Sequence, residues 1–480
     1  MIRRYAAPCI IATTKIVVSL ALLWTGFRSV SDDDFARAII AQQFAIHPHF
    51  DPSGTSWLPF PFLLWGSAMA AIGPTLAAAQ VMAIGLGACA AVGVWWVARS
   101  IELSARAALI AGMIAACMPH AAYYGAAMVP EYATAVLALL ASATLSSKHD
   151  RIRATGALAA CLATLCRYET WPIACVVSIC ATFDAIRQPH RRRWLVGSAI
   201  IASLGVTAWM SYGLVHHHDA LFFVTRVAAY RRALGGESMT LGLRLVQQPL
   251  ALFTGEPELT LLALLLPFIA LWVHGRTGLR GRAWARLCLA IGALVAFLIV
   301  GDLLDGAATH HEDRTLLLAW LAMALLVGEL LDRLLRDILL SPLRLAVSVG
   351  VFAAVVATTL IARPRITKSD SFVDRSREIA IGQLAAALVP AGQRLAVYTE
   401  DYGFFAVQAG FARPFDSAPL LRHDPRHREH DPLSSPAELT RRLNALCVQY
   451  LIVPTSRLPH LSQQTRIETE SKGFALLSRR

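Results

Sequence analysis

Charge is scarce in this sequence. Of 480 residues, 16% are Asp, Glu, Lys or Arg and 56% are hydrophobic, a balance too apolar for an ordinary soluble domain. Paired cysteine motifs are missing too. The nine cysteines form no CxxC pair, and Cys89, Cys117, Cys161, Cys166, Cys175, Cys180 and Cys288 lie in or beside apolar runs. Structural zinc and a disulfide scaffold are therefore not expected. No GxxxxGK[ST] loop is present, which argues against ATP-driven transport. Internal repeats are absent, and residues 1–186 and 187–362 share no obvious pattern. The net charge of +12 would suggest nucleic acid in a soluble protein. Here most arginines stand in short loops between apolar runs, where orienting the chain in a membrane explains them, so no nucleic-acid partner is expected.

What is present is a series of apolar runs of roughly 17–25 residues, the length a helix needs to cross a bilayer. Eleven spans are expected, at 9–28, 75–98, 105–122, 132–147, 154–167, 171–186, 194–214, 259–273, 284–303, 315–332 and 345–362. The apolar stretch 59–73 is short and bounded by Pro59, Pro61 and Pro74, which suits a re-entrant or juxtamembrane helix. Arg3 and Arg4 precede the first span, but Arg28-Ser29-Val30-Ser31-Asp32 makes a poor cleavage site, so an uncleaved span is the expectation.

The loops set the orientation. Arg99–Arg106, Lys148–Arg153, Arg187–Arg193, Arg276–Arg286 and Arg333–Arg344 are basic and fall on the side of Arg3 and Arg4. Loops 29–58, 123–131, 215–258 and 304–314 hold most of the Asp, Glu and His. This alternation places the N-terminus in the cytoplasm and everything beyond Ile361 outside. From Arg363 the composition turns polar. A helix over Ser376–Leu388, a strand at 395–398, a loop through 414–436, a helix over 436–446 and a strand at 450–453 suggest a small α/β domain. The fold class expected is an α-helical multi-pass membrane protein of about eleven spans (1–362) with an extracytoplasmic α/β domain (363–480).

Four groups of residues at the outer ends carry chemistry. The first is Ser31-Asp32-Asp33-Asp34-Phe35-Ala36-Arg37, directly after the first span. Adjacent carboxylates repel and raise one another's pKa unless a cation or donor compensates, so they suit a general base or a metal ligand. They also suit a helix start, with Ser31 or Asp32 as N-cap. The second is the loop from His47 to Pro61. There His47 and His49 could ligate a metal, and Trp57 and Phe60 could sit at the membrane interface. The third comprises Glu131 and Arg167-Tyr168-Glu169, costly charges at membrane depth that face a cavity or pair with each other. The fourth is Thr309-His310-His311-Glu312-Asp313-Arg314, where Arg314 could hold a phosphate or the whole stretch could be a polar loop. His216-His217-His218-Asp219 reads as a solvated run.

The order of these motifs resembles the GT-C superfamily of polyprenyl-phosphate-sugar glycosyltransferases, which includes protein mannosyltransferases and aminoarabinose transferases. The resemblance rests on Asp33-Asp34-Phe35 after one span, the helix from Ala36 to Ala45 and the Trp57 to Gly66 segment. It extends to Pro130-Glu131, Arg167-Tyr168-Glu169 and His311-Glu312-Asp313-Arg314. The chain departs from the family in its run of three aspartates, and in Asp313-Arg314-Thr315 where members often have Arg-Tyr. The resemblance implies inverting transfer of a sugar from a polyprenyl phosphate to a lipid, glycan or protein acceptor, at the inner (plasma) membrane. It implies Asp33 as base, with Asp32 and Asp34 supporting it or binding a divalent cation. Glu131 and Glu169 would position the acceptor, Arg167 and Arg314 would hold the lipid phosphate, and Trp57 would line the substrate site. No cofactor is required by the motifs beyond that cation. The alternative from another class is a secondary transporter of a polar or anionic solute, although transporters usually carry ionisable groups near the bilayer midplane.

Overall fold

The computed structural model describes residues 2–233, 240–274, 281–304, 312–338, 374–424, 426, 429–461 and 465–479. Among the described residues, fifteen α-helices lie in the first part: α1 (Ile2–Trp24), α2 (Asp33–Ile46), α3 (Phe60–Ile72), α4 (Leu76–Ser100), α5 (Ala105–Cys117), α6 (Pro119–Tyr124), α7 (Glu131–Thr144), α8 (Asp150–Thr164), α9 (Trp171–Arg187), α10 (Arg192–His217), α11 (Phe222–Ala233), α12 (Leu241–Gly255), α13 (Pro257–His274), α14 (Gly281–Leu303) and α15 (Glu312–Ile338). Among the described residues, six helices are long and apolar enough to cross a membrane, or seven if the bent pair α12–α13 counts as one span. The protein is a multi-pass membrane protein.

The expected count of eleven is larger than this. The runs at 105–122, 132–147 and 154–167 fold as helices of 13, 14 and 15 residues, short of the roughly 20 residues a bilayer asks for. Pro119 follows Met118 and separates α5 from α6. The run 345–362 lies outside the described residues. The expected outer loop 215–258 contains α11 and α12, whose charged and apolar residues alternate too closely to read as a span. At the Gly255–Pro257 break α12 turns by 94° into α13.

Small residues let these helices approach closely. Alanines of α4, α5, α7 and α8 dominate the main core, and a Cβ added to Gly328 on α15 would fall 2.6 Å from the carbonyl of Ala107. In lipid, where helices gain nothing from shedding water, such packing is what holds a bundle together. α15 is the axis, with 83% of its apolar window buried. Lys15 on α1 is fully buried. It donates to the carbonyls of Ala121 and Ala122 at 2.7 and 3.0 Å, which compensates a charge the bilayer cannot solvate.

The C-terminal part is a five-stranded mixed sheet in the order β2-β1-β3-β5-β4. Its strands are β1 (Leu395–Val397), β2 (Ser417–Pro419), β3 (Tyr450–Pro454), β4 (Thr465–Ser471) and β5 (Phe474–Arg479). β1 runs parallel to β2 and β3, and β5 lies antiparallel to β3 and β4. Helices α16 (Ser376–Leu388) and α17 (Phe404–Phe411) cover one face, and α18 (Pro436–Leu446) covers the other. Ala406 and Ala409 of α17 pack with Phe35, Ala38 and Ile39 of α2 and Trp65 and Met69 of α3. Gln42 adds a bond to the Ala409 carbonyl at 3.1 Å. The sheet domain thus sits on the end of the bundle where α2 begins.

Candidate active site

α1 ends at Trp24, and the chain turns through Ser31 into α2. Asp32 occupies the N-cap position but makes no capping bond with its side chain. Its carboxylate instead receives two bonds from Arg375 of the sheet domain, both 2.8 Å. Asp34 points inward and is fully buried. It accepts from the backbone N–H of Ser31 and of Met128, each at 3.2 Å. Burial, reinforced by Glu131 and Asp33 and opposed by Arg314, pushes its pKa up to about 7. Asp33 is the accessible member of the trio, with its side chain 45% exposed.

Three further segments converge on this turn. Glu131 opens α7, Arg167 and Glu169 lie in the α8–α9 connection, and Arg314 lies in the first turn of α15. Arg167 bonds Glu131 and Glu169, so the local pairing expected from their spacing is present and extends to a third charge. Arg314 is nearly buried. It donates to Ser31 Oγ at 2.8 Å and lies 3.4 Å from Asp33 and 3.7 Å from Glu131. The cluster is not saturated. Among the described residues, Glu131 Oε2, Arg37 Nε and Thr134 Oγ1 are buried without a protein partner. A buried polar atom left unpaired is costly, which makes each a place to meet a ligand or water.

Two recesses flank α7. A very small one is lined by Glu131, Thr134, Arg167, Glu169 and Arg314 together with apolar residues such as Ile173 and Leu294. On the other side lies an apolar cavity of about 440 Å³, walled by Leu64 and Trp65 of α3, Trp96 of α4, Leu137 of α7 and Leu162 of α8. Thr134 borders both. Two guanidinium groups, Arg167 and Arg314, face the small recess, and the accessible Asp33 lies 3.4 Å from Arg314.

Of the residues singled out in the sequence, Asp33, Asp34, Glu131, Arg167, Glu169 and Arg314 come together here. Trp57 stands one layer back, stacked over the Arg37 guanidinium at 4.6 Å. His47 packs on Phe415, and His49 bonds the His47 carbonyl. His216 and His217 join an aromatic group with Tyr212 and Phe222. His310 and His311 lie outside the described residues. Among the described residues no three His, Cys, Asp or Glu side chains gather as a metal site, and the cations beside Asp33 and Glu131 are arginines.

Sequence reasoning included Arg37 in the first motif without a role of its own, and passed over Arg375 and His120. Arg37 follows Asp33 by four positions, one helical turn, and that spacing was the available signal. His120 bonds Glu256 at 2.8 Å and lies 3.6 Å from Asp313. Burial works against its charge, yet bonds to Asp313 and Glu256 raise its pKa to about 9. This pairing ties the α12–α13 elbow to the segment carrying Arg314.

No protein-family model and no curated relative matches the chain. Solved structures do. ArnT from Cupriavidus metallidurans bound to undecaprenyl phosphate superposes with a TM-score of 0.63 at 13% identity, over 98% of this chain and 97% of that one. The same protein in its apo state gives 0.58 at 14% identity, covering 97% and 98%. The archaeal oligosaccharyltransferase AglB from Archaeoglobus fulgidus, in complex with an inhibitory peptide and a dolichol-phosphate, gives 0.52 at 14% identity, covering 94% and 70%. The chain has the GT-C fold. At these identities the likeness is one of architecture, and chemistry has to be argued from the residues themselves.

Proposed function

We propose that the protein is a membrane glycosyltransferase that moves a hexose or pentose from a polyprenyl phosphate to an acceptor hydroxyl or amine, with inversion. The observation that carries this reading is Arg314, 3.4 Å from the accessible Asp33 and lining a small recess that shares Thr134 with an apolar cavity. Both superposed enzymes were solved with a polyprenyl-type phosphate, which fits a donor of that class.

In the proposed step, Asp33 takes the proton of the acceptor hydroxyl or amine as that group attacks the anomeric carbon. The bond from that carbon to the phosphate oxygen breaks, and polyprenyl phosphate leaves with the electron pair. Arg314 can turn toward the phosphate, since its two carboxylate contacts are long. Arg167, held between Glu131 and Glu169, supplies a fixed positive field. Glu131 and Glu169 hold the arginines and border the acceptor. Asp34, whose pKa is pushed up to about 7, is about half protonated at neutrality and so spares Asp33 part of a second negative charge. Trp57 braces Arg37 under this turn. The apolar cavity receives the first isoprene units of the donor. Residues 1–362 form the membrane domain and 363–480 the extracytoplasmic one, with the N-terminus in the cytoplasm and the site outside the inner membrane.

The test is to incubate purified protein with a panel of polyprenyl-phosphate sugars and follow released polyprenyl phosphate. Release with one donor class supports the reading. No release with any donor, together with solute uptake by reconstituted vesicles, would favour a transporter instead.

A further inference from the structure

Arg375 spans a gap that the proposed chemistry does not need to cross. It is 5% exposed and belongs to the sheet domain, immediately before α16. Its guanidinium takes both oxygens of Asp32 at 2.8 Å. It also bonds Glu378 at 3.1 Å and Asp401 at 3.1 Å. Asp401 in turn accepts the N–H of Gly403 at 2.8 Å, at the start of α17. That helix is the one whose Ala406 and Ala409 lie against α2.

Asp32 is the residue before Asp33. A bidentate guanidinium–carboxylate pair fixes both the distance and the plane of its partner. With Asp32 held from the sheet domain, and Asp34 held by the N–H groups of Ser31 and Met128, the backbone on both sides of Asp33 is pinned. Asp33 itself carries no such restraint beyond Arg314 at 3.4 Å.

We infer that Arg375 is a positioning residue, through which the C-terminal domain clamps Asp32 and so aims Asp33 at the reaction centre. The inference rests on the proposed transferase reading for its effect on rate, but the clamp itself is a structural claim. Misplacing a reacting group by about 1 Å costs up to roughly a hundredfold in rate. Substrate affinity should be spared, because Arg375 does not border either recess.

The experiment uses the full chain in vesicles and compares wild type with R375A, R375K, D32N and the R375A/D32N double variant. Three quantities are read: turnover with saturating donor, binding of undecaprenyl phosphate, and hydrogen exchange of the segment 30–40. Expected are turnover losses of about tenfold to a hundredfold in R375A and in D32N, with undecaprenyl phosphate binding unchanged. The double variant should be no worse than R375A, R375K should be intermediate, and exchange at 30–40 should quicken in both single variants. Should R375A fail to fold, D32N breaks the same contact. Wild-type turnover in R375A, a loss that appears only as weaker binding, or independent losses that multiply in the double variant would overturn the inference. Unchanged exchange at 30–40 would overturn it even without an activity. If wild type transfers no sugar while exchange quickens as expected, the functional reading fails and the clamp stands.

Discussion

Two buried clusters of charge lie at opposite ends of α8 and α9, and they are built differently. At the end away from the sheet domain, Asp184 is fully buried and bonded by Arg153 at 2.6 Å and by Arg286 at 2.7 and 2.9 Å. Arg286 also caps the carbonyl of Leu145. That group joins α8, α9 and α14. Roughly 20 Å away along α8, the cluster of Asp33, Glu131, Arg167 and Arg314 leaves buried atoms without protein partners and borders a small recess that shares Thr134 with the apolar cavity. Saturation marks a lock, and unspent polarity beside a recess marks a site.

The comparison breaks most visibly at Asp33. Asp33→Asn keeps size and shape and removes the proton acceptor, so transfer should fall by roughly a hundredfold to ten-thousandfold. Its thermal melt should stay where it was, because a half-exposed side chain has little buried charge to strand. Asp184→Ala should do the reverse. Stranding two arginines at a closed junction costs about 3–5 kcal/mol, read as a lower melting temperature in detergent, while turnover per folded molecule holds. Activity lost in Asp184→Ala at full stability would move the chemistry to the other end of the bundle.

Arg314→Ala sharpens the comparison at smaller scale. Loss of one charge-assisted bond to a desolvated phosphate is worth about 1.5–3 kcal/mol, so undecaprenyl phosphate should bind roughly tenfold to a hundredfold more weakly. Unchanged affinity would shift the phosphate to Arg167. The last effect concerns Asp34 and is read as a pH dependence. Its pKa rises to about 7 on folding from about 4 in an unfolded chain. Between those values the folded protein keeps a proton that the unfolded chain has released, so stability falls as pH climbs from about 4 to 7 and then levels. Asp34→Asn should flatten that slope, and a melt series from pH 4 to 8 would show it.

Much of the outer cluster was legible because charge is rare in this chain and expensive at the ends of apolar runs. Asp33, Glu131, Arg167, Glu169 and Arg314 stand out for that reason alone. The partnership of Arg375 with Asp32 was not legible. The two are separated by 343 positions, and nothing local to either marks the other. The count of eleven spans is not confirmed where alanine-rich helices such as α5 and α7 are apolar enough but short. The helices of 215–258 escaped notice because α12 mixes Arg244, Gln247 and Gln248 among its leucines. In the sheet domain the helix at Ser376–Leu388 and the strands near 395 and 450 fell where periodicity put them. α17 was missed because a run of eight mostly apolar residues between turns does not distinguish a helix from a strand.

The most direct test of whether the unsaturated cluster is the working end is to locate the donor lipid. A photoreactive undecaprenyl phosphate, with its label in the first isoprene units, can be cross-linked to the protein in vesicles and mapped by mass spectrometry. The account predicts label on the cavity wall beside α7, at Leu64, Leu137 or Leu162, and competition by unlabelled undecaprenyl phosphate. Competable label confined to the Asp184 end, or none on α3, α7 and α8, would contradict it.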